Sequence, residues 1–212
     1  FEDPFVEPTE VNDWMDSFFT LRIGIRTLIT QHTAMVRHQP SIVSDCRVKQ
    51  TVRDSIGRTI EAAEEVYENV PEIIFESDDG SEIVTPYITS YFEYVLTELL
   101  KNSVVAHEAN DKTVEPIVVM VAEGRTAITI KISDRGAGFA IDKLPQMMYF
   151  GYSTEPVEMC EEFELAGIPI FSGFGYGLPM ARLFIKYLGG SLRILPVENV
   201  GTDVYVYIPK AS

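Results

Sequence analysis

Apolar positions in the first third of the chain recur at alternating steps of three and four: Phe18, Leu21, Ile25, Leu28, His32 and Met35. That spacing predicts a helix with a bundle-type inner seam, and Asp13 reads as its N-cap. Pro40 and Ser41 mark a turn. A second helix is expected from about Asp45 to Asn69, with Val48, Val52, Ile56, Ile60, Ala63 and Tyr67 on one stripe and Val70-Pro71 ending it. Two helices make a hairpin and not a complete bundle, so this half needs a partner or more chain. From Glu72 the period changes. A short strand over Glu72–Glu76, a turn at Asp78-Asp79-Gly80, and a helix over Tyr91–Ala106 anchored by Phe92, Leu96, Leu99 and Ala106 follow. Pro116–Glu123 and Thr126–Asp134 are β-branched strands around a turn at Gly124. A helix from Gly177 to about Leu188 stops at Gly189-Gly190, and Ser191–Val197 with Thr202–Pro209 closes as a hairpin. The fold class expected is α+β: a helical segment over residues 1–70, then an α/β sandwich with a mixed sheet over 71–212.

The chain's 212 residues are 46% hydrophobic, the composition of an ordinary globular protein. A net charge of −15 disfavours nucleic acid and anionic membranes as partners, so a phosphate site must build its own local affinity. Cys46 and Cys160 give no disulfide framework and fit a reducing compartment. No apolar run approaches the ~18 residues of a membrane span. The start, Phe1-Glu2-Asp3-Pro4, reads as a processed or trimmed end.

Candidate chemistry concentrates on Glu98-Leu99-Leu100-Lys101-Asn102. Helical spacing brings an acid, a base and an amide to one side of a turn. Asn102 offers a hard oxygen to Mg²⁺, which keeps its waters and accepts phosphate oxygens, while Glu98 can deprotonate a hydroxyl and Lys101 can sit near phosphate. Asp134-Arg135-Gly136-Ala137-Gly138 ends a strand, where a carboxylate beside a close-approaching backbone can accept from an exocyclic amine such as adenine's. Gly173-Phe174-Gly175-Tyr176-Gly177-Leu178 opens a helix whose free N–H groups attract phosphate. Each motif alone is weak; their order along the chain carries the signal. Between the glycine motifs, residues 143–172 are too long for a simple connection.

This order resembles the nucleotide boxes of the GHKL ATPases: gyrase-type topoisomerases, heat-shock chaperones, histidine kinases and mismatch-repair ATPases. The stretches Tyr94–Asn102, Ile132–Gly136, Gly173–Pro179 and Tyr187–Leu192 resemble the mitochondrial α-ketoacid dehydrogenase kinases, more the branched-chain kinase than the pyruvate kinases. Arg22-Ile23-Gly24-Ile25-Arg26 and Gln31-His32 resemble the last helices of that family's bundle. The resemblance implies ATP with Mg²⁺, and K⁺ as a further candidate ion. It makes Asn102 the Mg²⁺ ligand, Glu98 the catalytic carboxylate and Asp134 the adenine contact. It places Lys101, Gly136, Gly138, Gly173, Phe174, Gly175, Tyr176, Gly177, Leu178 and Thr202 around the nucleotide, and Tyr152-Ser153-Thr154 at the start of an ATP lid that nucleotide would order. It further implies phosphorylation of serine on a dehydrogenase E1α subunit, docking to the E2 lipoyl domain, a homodimer and the mitochondrial matrix. Two features depart from the pattern: Val105 stands where the family has an arginine, and only about two bundle helices are present. His32 lacks the acidic residue and proline that follow a histidine-kinase phospho-acceptor, and reads as structural. A histidine kinase core, with His32 phosphorylated, and a nucleotide-binding module without kinase activity are the alternatives.

Overall fold

A computed structural model of the chain describes residues 8–77, 80–108, 115–153 and 174–210. In order the elements are α1 (Pro8–Val36), β1 (Ser44–Arg47), α2 (Val48–Glu64), β2 (Ile73–Ser77), β3 (Val84–Tyr87), α3 (Thr89–Glu108), β4 (Ile117–Glu123) and β5 (Ala127–Asp134). A 3-10 turn (Ile141–Lys143), the one-turn α4 (Leu144–Met147), α5 (Gly177–Tyr187), β6 (Ser191–Val197) and β7 (Gly201–Pro209) complete the described part.

The main sheet has the order β2-β4-β5-β7-β6, with β2 parallel to β4 and every other pair antiparallel. Strict alternation decides its faces. Ile117, Val119 and Val121 of β4, Ile128, Ile130 and Ile132 of β5, and Val204, Val206 and Ile208 of β7 are buried in one core cluster. Phe92, Leu96, Leu99 and Leu100 of α3 and Ala181 and Ile185 of α5 belong to the same cluster, so the helices cover one face. On the other face Lys131 lies over the Tyr205 ring and Arg193 over the Tyr207 ring. The β4–β5 turn closes where Gly124 N–H donates to the Ala127 carbonyl at 2.8 Å.

The fold class is as expected, with helices, a mixed sheet and a helical stretch at the N-terminus. Its first two helices differ in detail. α1 begins at Pro8, and Asp13 sits inside it, its carbonyl accepting from the Ser17 hydroxyl at 3.0 Å. α2 begins at Val48 and not at Asp45, because Ser44–Arg47 pairs antiparallel with Val84–Tyr87 in a small second sheet. α2 ends at Glu64, short of Asn69. α1 packs on α5 while α2 packs on α3, so the two do not close on each other as a hairpin. The expected seam of α1 is correspondingly its outer face. Phe18, Ile25 and Met35 are exposed, as are Leu21 at 68% and Leu28 at 71%, whereas Ile23 and Ala34 are buried. The three-four pattern identifies the helix, but docking on α5 selects the face that carries Asp16, Phe19, Ile23 and Thr27.

Candidate functional site

α3 is the rail along which the site is built. Phe92, Val95, Leu96, Leu99 and Leu100 bury one side of it. That leaves Glu98, Lys101 and Asn102 on the adjoining side, where Lys101 Nζ reaches Glu98 Oε1 at 3.2 Å and Asn102 is exposed. The Glu98 carboxylate is mostly sequestered and lies against Gly177, the first residue of α5; a Cβ at Gly177 would overlap Oε2. A carboxylate thus stands at a helix N-terminus, the place where backbone N–H groups favour negative charge. Burial, with Glu98 adding to it, pushes the Tyr94 hydroxyl well above its ordinary range, so this neighbour stays neutral.

One turn and a half further along α3, the end of β5 comes close. Asp134 is buried, and its Oδ1 accepts from the backbone N–H of Gly136 and of Thr202, each at 3.1 Å. The ladder register that pairs Asp134 with Thr202 supplies the second donor. Oδ2 accepts from the Ser103 hydroxyl at 3.3 Å. Burial raises the Asp134 carboxyl above its usual value; the Gly136 and Thr202 bonds, His107 and Ser103 pull in the other direction. Ser103 is a partner of Asp134 that motif reasoning missed. It directly follows Asn102 and falls on the inner face of α3, four positions before His107, whose ring bonds the Ser103 and Glu115 carbonyls at 3.0 Å each.

The glycines are tight. At Gly136 a side chain would collide with the Ala106 carbonyl, where Ala137 N–H donates at 3.0 Å, so the strand end runs flush with α3. Gly138 is at φ +57° against the Val197 carbonyl. Gly175 is at φ +70°, a left-handed conformation, and its carbonyl accepts from Gly151 N–H at 3.1 Å.

The expected site residues therefore fall into two groups joined by α3: Glu98, Lys101, Asn102 and Gly177 at one place, and Asp134, Gly136 and Thr202 at the other. Gly138 flanks the second group. Gly175 and Tyr176 lead into α5, Phe174 is exposed, and Leu178 packs against the core. Ser153 is half-buried just after Tyr152; Thr154, Gly173 and most of the expected lid lie outside the described residues. His32 is exposed on α1. Val105 packs against the core, and the cations Lys101, Arg135 and Arg182 are each paired with a carboxylate. Lys101 meets Glu98 at 3.2 Å, Arg135 meets Asp203 at 3.5 Å, and Arg182 meets both Asp16 oxygens at 2.5 and 2.8 Å.

Comparison with known proteins agrees with this architecture. Residues 89–212 match the family described as histidine kinase-, DNA gyrase B- and HSP90-like ATPase, and residues 2–60 match a family described as mitochondrial branched-chain alpha-ketoacid dehydrogenase kinase. The chain is 33% identical to a mitochondrial [pyruvate dehydrogenase (acetyl-transferring)] kinase of Arabidopsis thaliana, over 95% of this chain and 58% of the relative. It is 32% identical to the human mitochondrial isozyme 1 of that kinase, over 99% of this chain and 51% of the relative, and 32% identical to a Drosophila melanogaster counterpart, over 97% and 54%. The chain spans about half the length of the curated relatives it matches. With α3, the Asp134 strand end, the glycine turn and the closing hairpin all inside the first match, the chain belongs to the histidine kinase-, DNA gyrase B- and HSP90-like ATPase family, with a helical start like that of the α-ketoacid dehydrogenase kinases.

Proposed function

We propose that this chain binds Mg²⁺-ATP along α3 and is the nucleotide-binding part of a protein serine kinase acting on the E1α subunit of an α-ketoacid dehydrogenase complex. The observation that carries the reading is the contact between the Glu98 carboxylate and Gly177 at the start of α5, which joins a proton acceptor to a phosphate-attracting helix end. Bound Mg²⁺-ATP supplies the γ-phosphoryl group. Glu98 takes the proton from the attacking seryl hydroxyl, and Lys101 holds the carboxylate in place. Asp134 accepts from the adenine amine, with Ser103 and the Gly136 and Thr202 N–H groups fixing its plane. Gly138, Ser153, Phe174, Gly175, Tyr176, Leu178 and Thr202 line the nucleotide, and Thr154 and Gly173, outside the described residues, are assigned to it with them.

The donors available suit Mg²⁺. Among the described residues no three His, Cys, Asp or Glu side chains cluster to hold a metal ion. One amide oxygen from Asn102, with phosphate oxygens and water, is a set that octahedral Mg²⁺ accepts. The reading includes K⁺ as an accompanying ion, docking to an E2 lipoyl domain, a homodimer and the mitochondrial matrix; the mitochondrial pyruvate dehydrogenase kinases among its relatives support a mitochondrial location and a dehydrogenase complex as target. It also divides the chain into a helical segment, 1–70, and an ATP-binding domain, 71–212, in keeping with matches over 2–60 and 89–212. Among the described residues no helix is long and apolar enough to cross a membrane.

Labelled ATP incubated with the protein and separate pyruvate and branched-chain E1α subunits tests the reading. Transfer to serine of one E1α, lost in Glu98→Gln, is expected. A second reading, a nucleotide-binding module without kinase activity, is favoured by Val105 and by the pairing of Lys101, Arg135 and Arg182 with carboxylates. Undiminished ATP binding without transfer to either E1α selects it.

A further inference from the structure

α1 carries a second stripe beside its exposed apolar one: Asn12, Asp16, Phe19, Ile23 and Thr27, at steps of four, three, four and four. Each of these faces the body of the molecule. Asn12 Oδ1 accepts from the backbone N–H of Phe150 at 3.1 Å. Asp16 holds Arg182 of α5 through both carboxylate oxygens. The Phe19 ring stacks on Phe150 at 5.0 Å and meets Tyr176 edge-on at 6.0 Å, while Phe150 and Tyr176 are 5.7 Å apart. Ile23 is buried, and the Thr27 hydroxyl bonds Tyr91 of α3 at 2.8 Å.

The segment that α1 grips runs straight into the site. Gly151 N–H donates to the Gly175 carbonyl, Tyr152 backbone fills the space where a Gly175 side chain would go, and two residues later Gly177 touches Glu98. Two turns of α1 are therefore connected to the candidate proton acceptor through one backbone hydrogen bond, one aromatic trio and one glycine turn. None of these five α1 residues lies among those assigned to the nucleotide.

We infer that Asn12 and Phe19 are positioning residues for nucleotide binding: they hold the 150–152 backbone and the Gly175–Gly177 turn in the conformation that receives phosphate. This rests on the nucleotide-binding reading above. The physical consequence is a population effect. If the turn relaxes among several conformations once its anchor is removed, apparent affinity falls by the fraction of molecules still in the competent one. One backbone-to-side-chain hydrogen bond sustains about a three- to tenfold bias.

The experiment is equilibrium binding of Mg²⁺-AMPPNP to the full chain, with thermal melts beside it, for the parent, Asn12→Ala, Asn12→Asp, Phe19→Ala and Phe19→Tyr. The inference expects Asn12→Ala and Phe19→Ala each to weaken binding about three- to tenfold. Asn12→Asp, which keeps the acceptor oxygen, and Phe19→Tyr, which keeps the ring, are expected to bind like the parent. Binding by the alanine variants equal to the parent overturns the inference and leaves the nucleotide reading standing. If an alanine variant melts lower, the conservative partner decides: weakened binding that Asn12→Asp and Phe19→Tyr do not restore also overturns it. Absence of binding by the parent overturns the nucleotide reading and this inference with it.

Discussion

A methyl group added at Gly136 meets the Ala106 carbonyl, a piece of backbone inside α3 that cannot yield; added at Gly177 it meets the far end of the Glu98 side chain, which can. The two substitutions should therefore separate stability from chemistry. Gly136→Ala should cost about 1–3 kcal/mol of stability through overpacking, read as a lower urea midpoint. Gly177→Ala should change stability by no more than about 0.5 kcal/mol, yet displace the carboxylate and lower phosphoryl transfer on the order of a hundredfold. Asp134 gives a third prediction. Its folded-state pKa is raised, chiefly by burial, so the stability it contributes is present below the ordinary carboxylate pKa of about 4 and is lost as pH climbs through the raised value. Asp134→Asn keeps an acceptor for Gly136 and Thr202 without the buried charge. It should be at least as stable as the parent at neutral pH, show a flatter stability profile through the acid range, and bind ATP and ADP more weakly. A variant less stable than the parent at neutral pH would show that the ionised carboxylate stabilises the fold.

Among the elements, the strands of the main sheet and α3 were legible because each has one wet and one dry side and enough length to show a period: 117–134 and 191–209 alternate, and α3 repeats every three or four residues. β1 and β3 were not. Four residues each, containing Asp45 and Pro86, they are too short to show a period in the sequence, and Pro86 is tolerated because both strands of a two-stranded sheet are edges. Ser103 was hidden for a similar reason: what gives it a role is Asp134, 31 positions away, and no local spacing records that contact. The start of α2 shows the same dependence on distant chain. Arg47 at its N-cap makes no side-chain cap bond. Glu82 serves instead, Oε1 accepting from Lys49 N–H at 2.8 Å and Ile83 N–H at 3.0 Å, and Oε2 from Gln50 N–H at 3.1 Å. A carboxylate there also complements the helix dipole. Glu82→Ala should cost about 1.5–3 kcal/mol, the scale of charged hydrogen bonds, and lower Tm by roughly 2–4 °C for each kcal/mol. An unchanged Tm would mean that water caps α2 equally well.

At the scale of the whole molecule, the −15 net charge and the exposed stripe of α1 act against each other. Like charge keeps copies apart in dilute buffer, and salt shortens its reach to about 8 Å at physiological strength. Light scattering should therefore rise as salt is added, and the double variant Leu21→Glu, Leu28→Glu should abolish the rise without moving the melting midpoint. Scattering that the variant does not alter would place the adhesive surface elsewhere. α1 also holds the chain's single tryptophan. Trp14 is 62% exposed and stacked on Phe18, with ring centroids 5.3 Å apart, and the buried core contains no indole. The optical signals of this protein are thus divided by geography. Tryptophan emission should be that of a mostly hydrated ring already in the native state and report on α1 alone, whereas far-ultraviolet dichroism reports the sheet and the helices together. In a denaturant titration the two curves need not coincide, and a gap between them would measure the separate detachment of α1 and not an intermediate of the sheet.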